Sequence, residues 1–440
     1  MVARGTAPLY FASYGLSLLG AGISSVVMPL LVLARTGDVL AAGVLATTTT
    51  AASAAAGLVS GLIVDRVDRR RVSIAGDVLA AATIAALPVV DALWGLDMAW
   101  FLVLGVLGAV IRVPGMTARE TLLPALAHLG AGSLDRLVAT RETVANVLVL
   151  AGPGVGGLLV GVLGPSPTLM LATAGTSLLA ALTALRLDPR TGETGAVDRG
   201  DDPDPVGAGA ALRRAGRDLV VAWRFLARHR PVLGATLLTA MFAAVISSLQ
   251  TTLMPAYFSD VGLPALTGLT LSAFAGGSVA GSALHAAVAA RLRRRTWFVV
   301  GMTGTLAGFA AVGAMSSPWL VLAGAALVGL TYAPAGALLG VVVVEATPDA
   351  MRGRVLGAQN TVVLAAPAVT SAPLAAVAAG AGLPVAGLVL AGLVGVVVVV
   401  ALLAPAFRTL TATPATPHPD APGPGSRPTS PRPGAPTAGR

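Results

Sequence analysis

Between positions 9 and 405 the chain is a succession of twelve apolar runs separated by short polar breaks, at 9–34, 39–64, 72–94, 98–118, 139–163, 166–186, 232–258, 264–290, 297–315, 318–344, 354–379 and 382–405. Each run reaches the roughly 18–20 residues that a helix needs to cross the hydrocarbon core of a bilayer. None shows the alternation of apolar and polar positions that marks a strand of a transmembrane barrel. Gly, Ala, Val and Leu dominate them, so the runs are expected to be helices, whose backbone groups are satisfied within the segment. The longest break, 187–230, divides the runs six and six. The expected organisation is a six-helix bundle over 1–186, a cytoplasmic central loop over 187–230, a second six-helix bundle over 231–405, and a tail over 406–440 that is polar, rich in Pro, Thr and Ala, and expected to be disordered. The fold class is all-α integral membrane, with twelve transmembrane helices in two pseudo-symmetric bundles.

Composition agrees with lipid as the main solvent. Charged residues make up 11% of the chain and hydrophobic residues 55%, with mean hydropathy +0.83; a soluble chain carries roughly 25% charged residues. All 29 basic residues are Arg, which a GC-rich coding sequence accounts for. Cysteine is absent, excluding a disulfide framework or a thiolate metal site. The first run is too long for a signal-peptide core and lacks a small-residue cleavage pattern, so it is read as a retained span.

The arginines orient the chain. With the spans alternating, every Arg except Arg35 and Arg112 falls on one side, in breaks, termini or run ends. The positive-inside rule makes that side cytoplasmic, with both termini there, and the expected location is the plasma membrane. Within the central break, ALRRAGRDLVVAWRFLARHR sets Leu212, Leu219, Val220, Trp223, Phe225 and Leu226 against arginines. This is a basic amphipathic helix, lying on the inner leaflet or packed on the cytoplasmic face of the protein.

The two halves repeat each other. Ile23-Ser24-Ser25 followed by Met28-Pro29 recurs as Ile246-Ser247-Ser248 followed by Met254-Pro255; Gly57 to Arg71 aligns on Gly281 to Arg295; Asn146 and Pro153 correspond to Asn360 and Pro367. Such repeats are a common build of secondary transporters, with the substrate site at the midplane between the halves.

One break is dense in charge. GLIVDRVDRRRV, Gly61 to Val72, carries six charges in the seven positions from Asp65 to Arg71. A topogenic turn needs only the basic residues, and the two acids ask for more. Gly61-x-x-x-Asp65-Arg66-x-x-Arg69-Arg70 resembles the signature loop of the major facilitator superfamily, with Asp68 where the signature has Gly. Gly152-Pro153-Gly154-Val155-Gly156-Gly157 resembles the core of that family's fifth-helix motif of exporters running as antiporters, with Leu148 replacing an upstream Gly. Arg112 stands where the fourth-helix motif places a buried Arg. Arg119-Glu120-Thr121-Leu122-Leu123-Pro124 and Arg352-Gly353-Arg354-Val355 resemble the branch of bacterial siderophore and macrolide exporters. The resemblance covers about 1–405. It implies that Asp65 caps the start of the eleventh helix when the cytoplasmic side is closed, with Arg66 and Arg69 tying the loop to neighbouring helices.

The remaining candidates follow from burial. An ionisable group inside a span is costly and is a functional candidate by default. Asp77 is about six residues into the third run, ~9 Å deep at 1.5 Å per residue, and Arg112 is well inside the fourth. A carboxylate whose Arg partner changes as the protein rocks would couple proton movement to transport; a static ion pair is the other reading of Asp77. Glu142 and Glu345 read as interface anchors. Tyr10, Tyr14, Ser24, Ser25, Asn146, Ser247, Gln250, Thr251, Gln359 and Asn360 are candidate cavity residues, or interhelical hydrogen-bond partners. A weakly charged wall suits a small neutral, lipophilic or amphipathic solute. The expected function is therefore proton-coupled efflux of such a compound by a monomer in the bilayer, with no enzyme activity, cofactor, metal or nucleic-acid partner. An importer or uniporter of a small neutral solute stays open, as does an integral-membrane transferase. Asp65 and Asp68 are poor ligands for a cation among four arginines, and no phosphate-binding glycine loop of the P-loop type is present.

Overall fold

The computed structural model describes residues 3–64, 67–192, 220–288, 293–348, 351–404 and 407. Among these, twelve helices are long and apolar enough to cross a membrane, one for each apolar run. They are α1 (Ala3–Thr36), α2 (Val39–Val64), α3 (Arg69–Leu93), α4 (Met98–Glu120), α5 (Leu134–Leu163), α6 (Met170–Leu185), α7 (Arg230–Ser248), α8 (Leu266–Val288), α9 (Arg294–Gly313), α10 (Pro318–Ala346), α11 (Arg352–Ala381) and α12 (Leu383–Leu403). A short helix, Leu122–His128, prolongs α4, and α7 continues through a π-helical turn, Leu249–Leu253, into Met254–Asp260. The helices overrun several apolar runs because charged residues extend them beyond the hydrocarbon. Arg119, expected in the break after the fourth run, instead lies in the last turn of α4 and is 3% exposed.

Helix ends fall where the local chemistry stops or starts them. Asp68 starts α3, its carboxylate accepting from the Arg71 backbone N–H at 2.8 Å. Asp97 does the same for α4 through Trp100 at 3.0 Å. Such caps satisfy amide groups that have no partner inside the helix. Corresponding helices of the two halves end alike: α5 at Gly164 (φ 72°) and α11 at Gly382 (φ 90°), a backbone region glycine enters at no steric cost.

The first six helices share two hydrophobic clusters, one centred on Val26, Leu30, Leu31 and Phe101, the other on Tyr10, Leu122 and Leu126. The last six surround a third, containing Phe242, Phe258, Phe298 and Phe309. Between the halves, α2 packs on α11 and α5 on α8. These two contacts exchange under the sequence repeat. Outward-facing aliphatic side chains such as Val162 and Val369, both 73% exposed, suit a lipid-facing wall. Trp94 and Trp319, 69% and 70% exposed, stand beside the short α3–α4 and α9–α10 breaks, at the end opposite the Arg-rich breaks. Tryptophan is enriched at membrane–water boundaries.

Ion pairs pin the ends. Arg35 meets Asp91 at 2.6 Å, joining α1 to α3 at the Trp-bearing end. Arg294 grips Glu345 with two hydrogen bonds of 2.9 and 3.0 Å, joining α9 to α10 at the Arg-rich end. Of the amphipathic helix expected within 211–230, residues 220–228 are described and helical. Ala222 and Leu226 are buried in the second-half core. The rest of that helix, the acidic loop before it and the tail beyond 407 lie outside the described residues, as do Asp65 and Arg66.

Candidate functional site

A cavity of about 840 Å³ lies between the halves. Its wall is mostly aliphatic side chains and small polar groups: Ser24 and Ser25 from α1, Thr49, Thr50, Ser53 and Ser60 from α2, Thr83 from α3, Thr117 from α4, Thr251 from the π turn, and Asn360 and Thr361 from α11. Among the described lining residues the only charged groups are Arg112 and Glu120 of α4, and none is aromatic. Many of the hydroxyls are tied back to their own helices. Thr49 donates to the Leu45 carbonyl at 2.7 Å, Thr83 to Leu79 at 2.7 Å, Thr117 to Val113 at 3.0 Å and Thr251 to Ser247 at 2.8 Å. A hydroxyl that spends its proton inside the helix keeps lone pairs for the cavity. Such a wall accepts hydrogen bonds weakly while leaving apolar surface between them.

The cavity is closed at the Trp-bearing end. There the Ala372 backbone N–H donates to Thr47 Oγ1 at 3.1 Å, joining α11 to α2. Ser272 Oγ donates to the Leu150 carbonyl at 2.6 Å, joining α8 to α5. Below the second bond a Cβ on Gly157 would come within 2.5 Å of the Ala265 carbonyl oxygen. Toward the Arg-rich end, among the described residues, the contacts thin out: a Cβ on Gly57 of α2 or Gly357 of α11 would meet nothing within 4 Å, and Met116, Glu120 and Asn360 are exposed. The opening is therefore at the Arg-rich end.

Beside the cavity is a buried ionic knot. Asp77 of α3 pairs with Arg119 of α4, the two side chains 9% and 4% exposed, and accepts a hydrogen bond from Ser17 Oγ of α1 at 3.2 Å. Tyr10 donates to the Arg119 carbonyl at 3.3 Å and lies parallel to Tyr14, ring centroids 6.2 Å apart. Arg112 is not the ion-pair partner of Asp77. It opens onto the main cavity and onto a small neighbouring chamber shared with Tyr14, Ser17, Arg119 and Glu120. Glu120 in turn meets Arg141 of α5 at 3.4 Å, and Arg141 also pairs with Glu142.

The other expected residues are scattered around this centre. Ser25 and Asn360 line the cavity, and Tyr14 lines the side chamber. Gln250 faces a separate small apolar pocket within the second half. Gln359 and Asn146 border none of these spaces; Gln359 is half-buried and Asn146 exposed. In the fifth-helix motif, Gly152 and Gly156 press on α1 at Gly22 and Ile23, whereas Gly157 presses across the halves on α8 at Gly268. Pro153 also touches both partners: its ring lies against Gly22, its carbonyl against Gly268. Gly61 lies in the last turn of α2. Arg70 donates to the Ala184 carbonyl at 3.2 Å and to the Leu185 carbonyl, placing a cation at the C-terminus of α6, where it opposes the helix dipole. Arg69 Nε is buried without a hydrogen-bond partner. Sequence reasoning missed Arg119 as a buried ion, Glu120 as a wall residue, and the hydroxyls of α2. The run Thr47 to Thr50 followed by Ser53 was the available signal, since hydroxyls on four adjacent positions point around most of a helix and cannot all face lipid.

Residues 10–284 and 264–436 match the sequence profile of the Major Facilitator Superfamily. A relative from Mycolicibacterium fortuitum, named multidrug efflux pump Tap, is 33% identical over 354 residues, 79% of this chain and 83% of its own. A protein of the same name from Mycobacterium tuberculosis (strain ATCC 25618 / H37Rv) is 33% identical over 369 residues, 82% of this chain and 84% of its own. Among solved structures, a bacterial homologue of the human lysosomal transporter Spinster, in an inward-facing and unoccupied conformation, superposes with a TM-score of 0.69 at 13% identity, covering 94% of this chain and 99% of that one.

Proposed function

The chain belongs to the Major Facilitator Superfamily, and from that premise we propose that it exports small lipophilic or amphipathic compounds across the plasma membrane in exchange for protons. The observation that carries this reading is the cavity: large enough for a drug-sized solute, mostly apolar, hydroxyl-lined, and bearing one cation and one carboxylate among its described lining residues. Sugar phosphates or di-acids would call for more basic groups. The relatives named multidrug efflux pumps support export over import. The Arg-rich end is assigned to the cytoplasm by the positive-inside rule, which makes this a cytoplasm-open state, ready to load an export substrate. The protein acts as a monomer with both termini cytoplasmic, and its function is transport without catalysis.

In the opposite state the halves close at the Arg-rich end. Asp65 is assigned to that closure as the cap of α11, with Arg66 and Arg69 tying the loop to the adjacent helices, while Arg70 holds the loop to α6. Such helix-end contacts contribute roughly 0.3–2 kcal/mol each, enough to bias a two-state equilibrium and weak enough to break in every cycle. Asp77 is assigned the coupled proton, in its buried pair with Arg119.

Efflux of a panel of lipophilic dyes and antibiotics, from cells with and without an uncoupler, tests the reading. Extrusion that collapses with the proton gradient is expected; uptake down a gradient, indifferent to uncoupler, would point to the uniporter. For the coupling assignment, Asp77→Asn should abolish gradient-driven accumulation yet allow downhill exchange, because an amide mimics the neutral acid but releases no proton. Normal active transport in that variant would remove Asp77 from the mechanism.

A further inference from the structure

Helix 220–228 is separated by one residue, His229, from Arg230, where α7 begins, which places it at the level where the chain enters the bilayer. One side, Ala222 and Leu226, is buried against the second-half core. Val220 and Trp223 stay 56% and 38% exposed. Arg224, Phe225, Arg228 and His229 of this segment, with Met351 from the start of α11, line an open hollow of about 390 Å³. Arg224 and Arg228 are four apart and so lie on one face. Both are exposed, and neither has an acidic partner among the described residues. His229 stacks on Phe225 at 5.2 Å, and its Nδ1 is buried with no hydrogen-bond partner.

The two exposed guanidiniums are an unbalanced positive pair, and an exposed Trp stands beside an exposed Val. Both features suit an anionic membrane surface. Arginine holds phosphate oxygens with a planar fork of donors, and Trp settles at headgroup depth. We propose that this hollow is a binding site for the phosphate headgroup of an anionic phospholipid of the leaflet that faces the Arg-rich end. Arg224 and Arg228 hold the phosphate, and Trp223 and Val220 rest among the upper acyl carbons. A bound lipid would fasten the connection between the two bundles to the second one. This is independent of what the transporter carries.

The test is lipid retention by the full-length protein, reconstituted in nanodiscs of phosphatidylglycerol and phosphatidylcholine, extracted in mild detergent and read by native mass spectrometry. The wild type should keep phosphatidylglycerol in preference to phosphatidylcholine. Each basic residue near an anionic surface contributes about 1 kcal/mol, so Arg224→Gln with Arg228→Gln should weaken phosphatidylglycerol retention about tenfold or more, while Arg224→Lys with Arg228→Lys keeps most of it. Arg186→Gln, removing an exposed cation elsewhere at the same end, should change nothing. Equal retention of both lipids by the wild type, or an unchanged preference in the double Gln variant, overturns the proposal. Displacement of the retained lipid by millimolar inorganic phosphate would also overturn it, since the site would then be a phosphate site without lipid character.

Discussion

The contact that best separates what a residue is from where it ends up is Asp77 with Arg119. An acid inside an apolar run announces itself in the sequence; its partner does not. Arg112 and Arg119 are seven apart on α4, nearly two turns, so both present the same face to α3. Register decides between them. Gly76 lies against Gly115, where a Cβ on Gly76 would come within 2.9 Å of the Gly115 Cα. Side chains tilt toward the N-terminus of their helix, so Arg119 reaches back to the level of Asp77 while Arg112 reaches away from it into the cavity. Asp77→Ala would leave Arg119 buried and unpaired, which costs roughly 3–5 kcal/mol. A thermal unfolding scan in detergent should show a large drop, and adding Arg119→Met should recover most of it. Arg112→Ala removes a cation that faces open space. It should leave unfolding nearly unchanged while lowering efflux of anionic amphiphiles at least several-fold relative to cationic ones, measured as initial rates across a matched dye series.

Among the elements, α5 carries two different interfaces on one helix. Gly152 and Gly156 fit α1 inside the first half; a Cβ on Gly152 would lie 3.0 Å from the Gly22 Cα. Gly157, one position on, fits α8 across the halves. The motif resemblance drew attention to this stretch, but the sequence could not say which glycine served which neighbour, because helix rotation is set by all its contacts at once. Small residues allow close backbone approach in membranes, where dispersion and not hydrophobicity drives packing. Gly157→Val should therefore wedge the halves apart at the Trp-bearing end. Transport should fall about tenfold or more, and a probe at Ser25→Cys should become reachable by a membrane-impermeant maleimide from outside. Gly152→Val should instead lower stability with no change in that sidedness. Identical labelling in both variants would mean that α5 is only a packing element.

For the whole molecule, alternating access requires that the Trp-bearing end, closed here, opens at some point in the cycle. The hydrogen bond from the Ala372 amide to Thr47 Oγ1, 3.1 Å, marks a place where α2 and α11 must part. The chain contains no cysteine, so a pair introduced as Thr47→Cys and Ala372→Cys is the only one present. Oxidation should stop efflux, and reductant should restore it, with each single substitution active throughout. Full transport by the cross-linked protein would exclude separation at this point.

The sequence by itself determined the number of spans, their alternation, the two-fold repeat and the family resemblance, because each follows from local quantities: hydropathy summed over about twenty residues, the side on which arginines collect, and short motifs read in place. It also marked Asp77 and Arg112 as unusual for their depth, and Ser25 as a candidate cavity residue. Partner choice, cavity wall and state were decided only by tertiary structure. The identity of the ion pair depends on the axial register of α3 against α4, the turning of Gln250 away from the cavity and of Thr49 toward it depends on helix rotation, and the closed end depends on a balance of contacts between α2 and α11 and between α5 and α8. In a lipid-facing bundle built from Ala, Gly, Val and Leu, no strong amphipathic stripe fixes rotation in advance, so only the summed close contacts of neighbouring helices could set it.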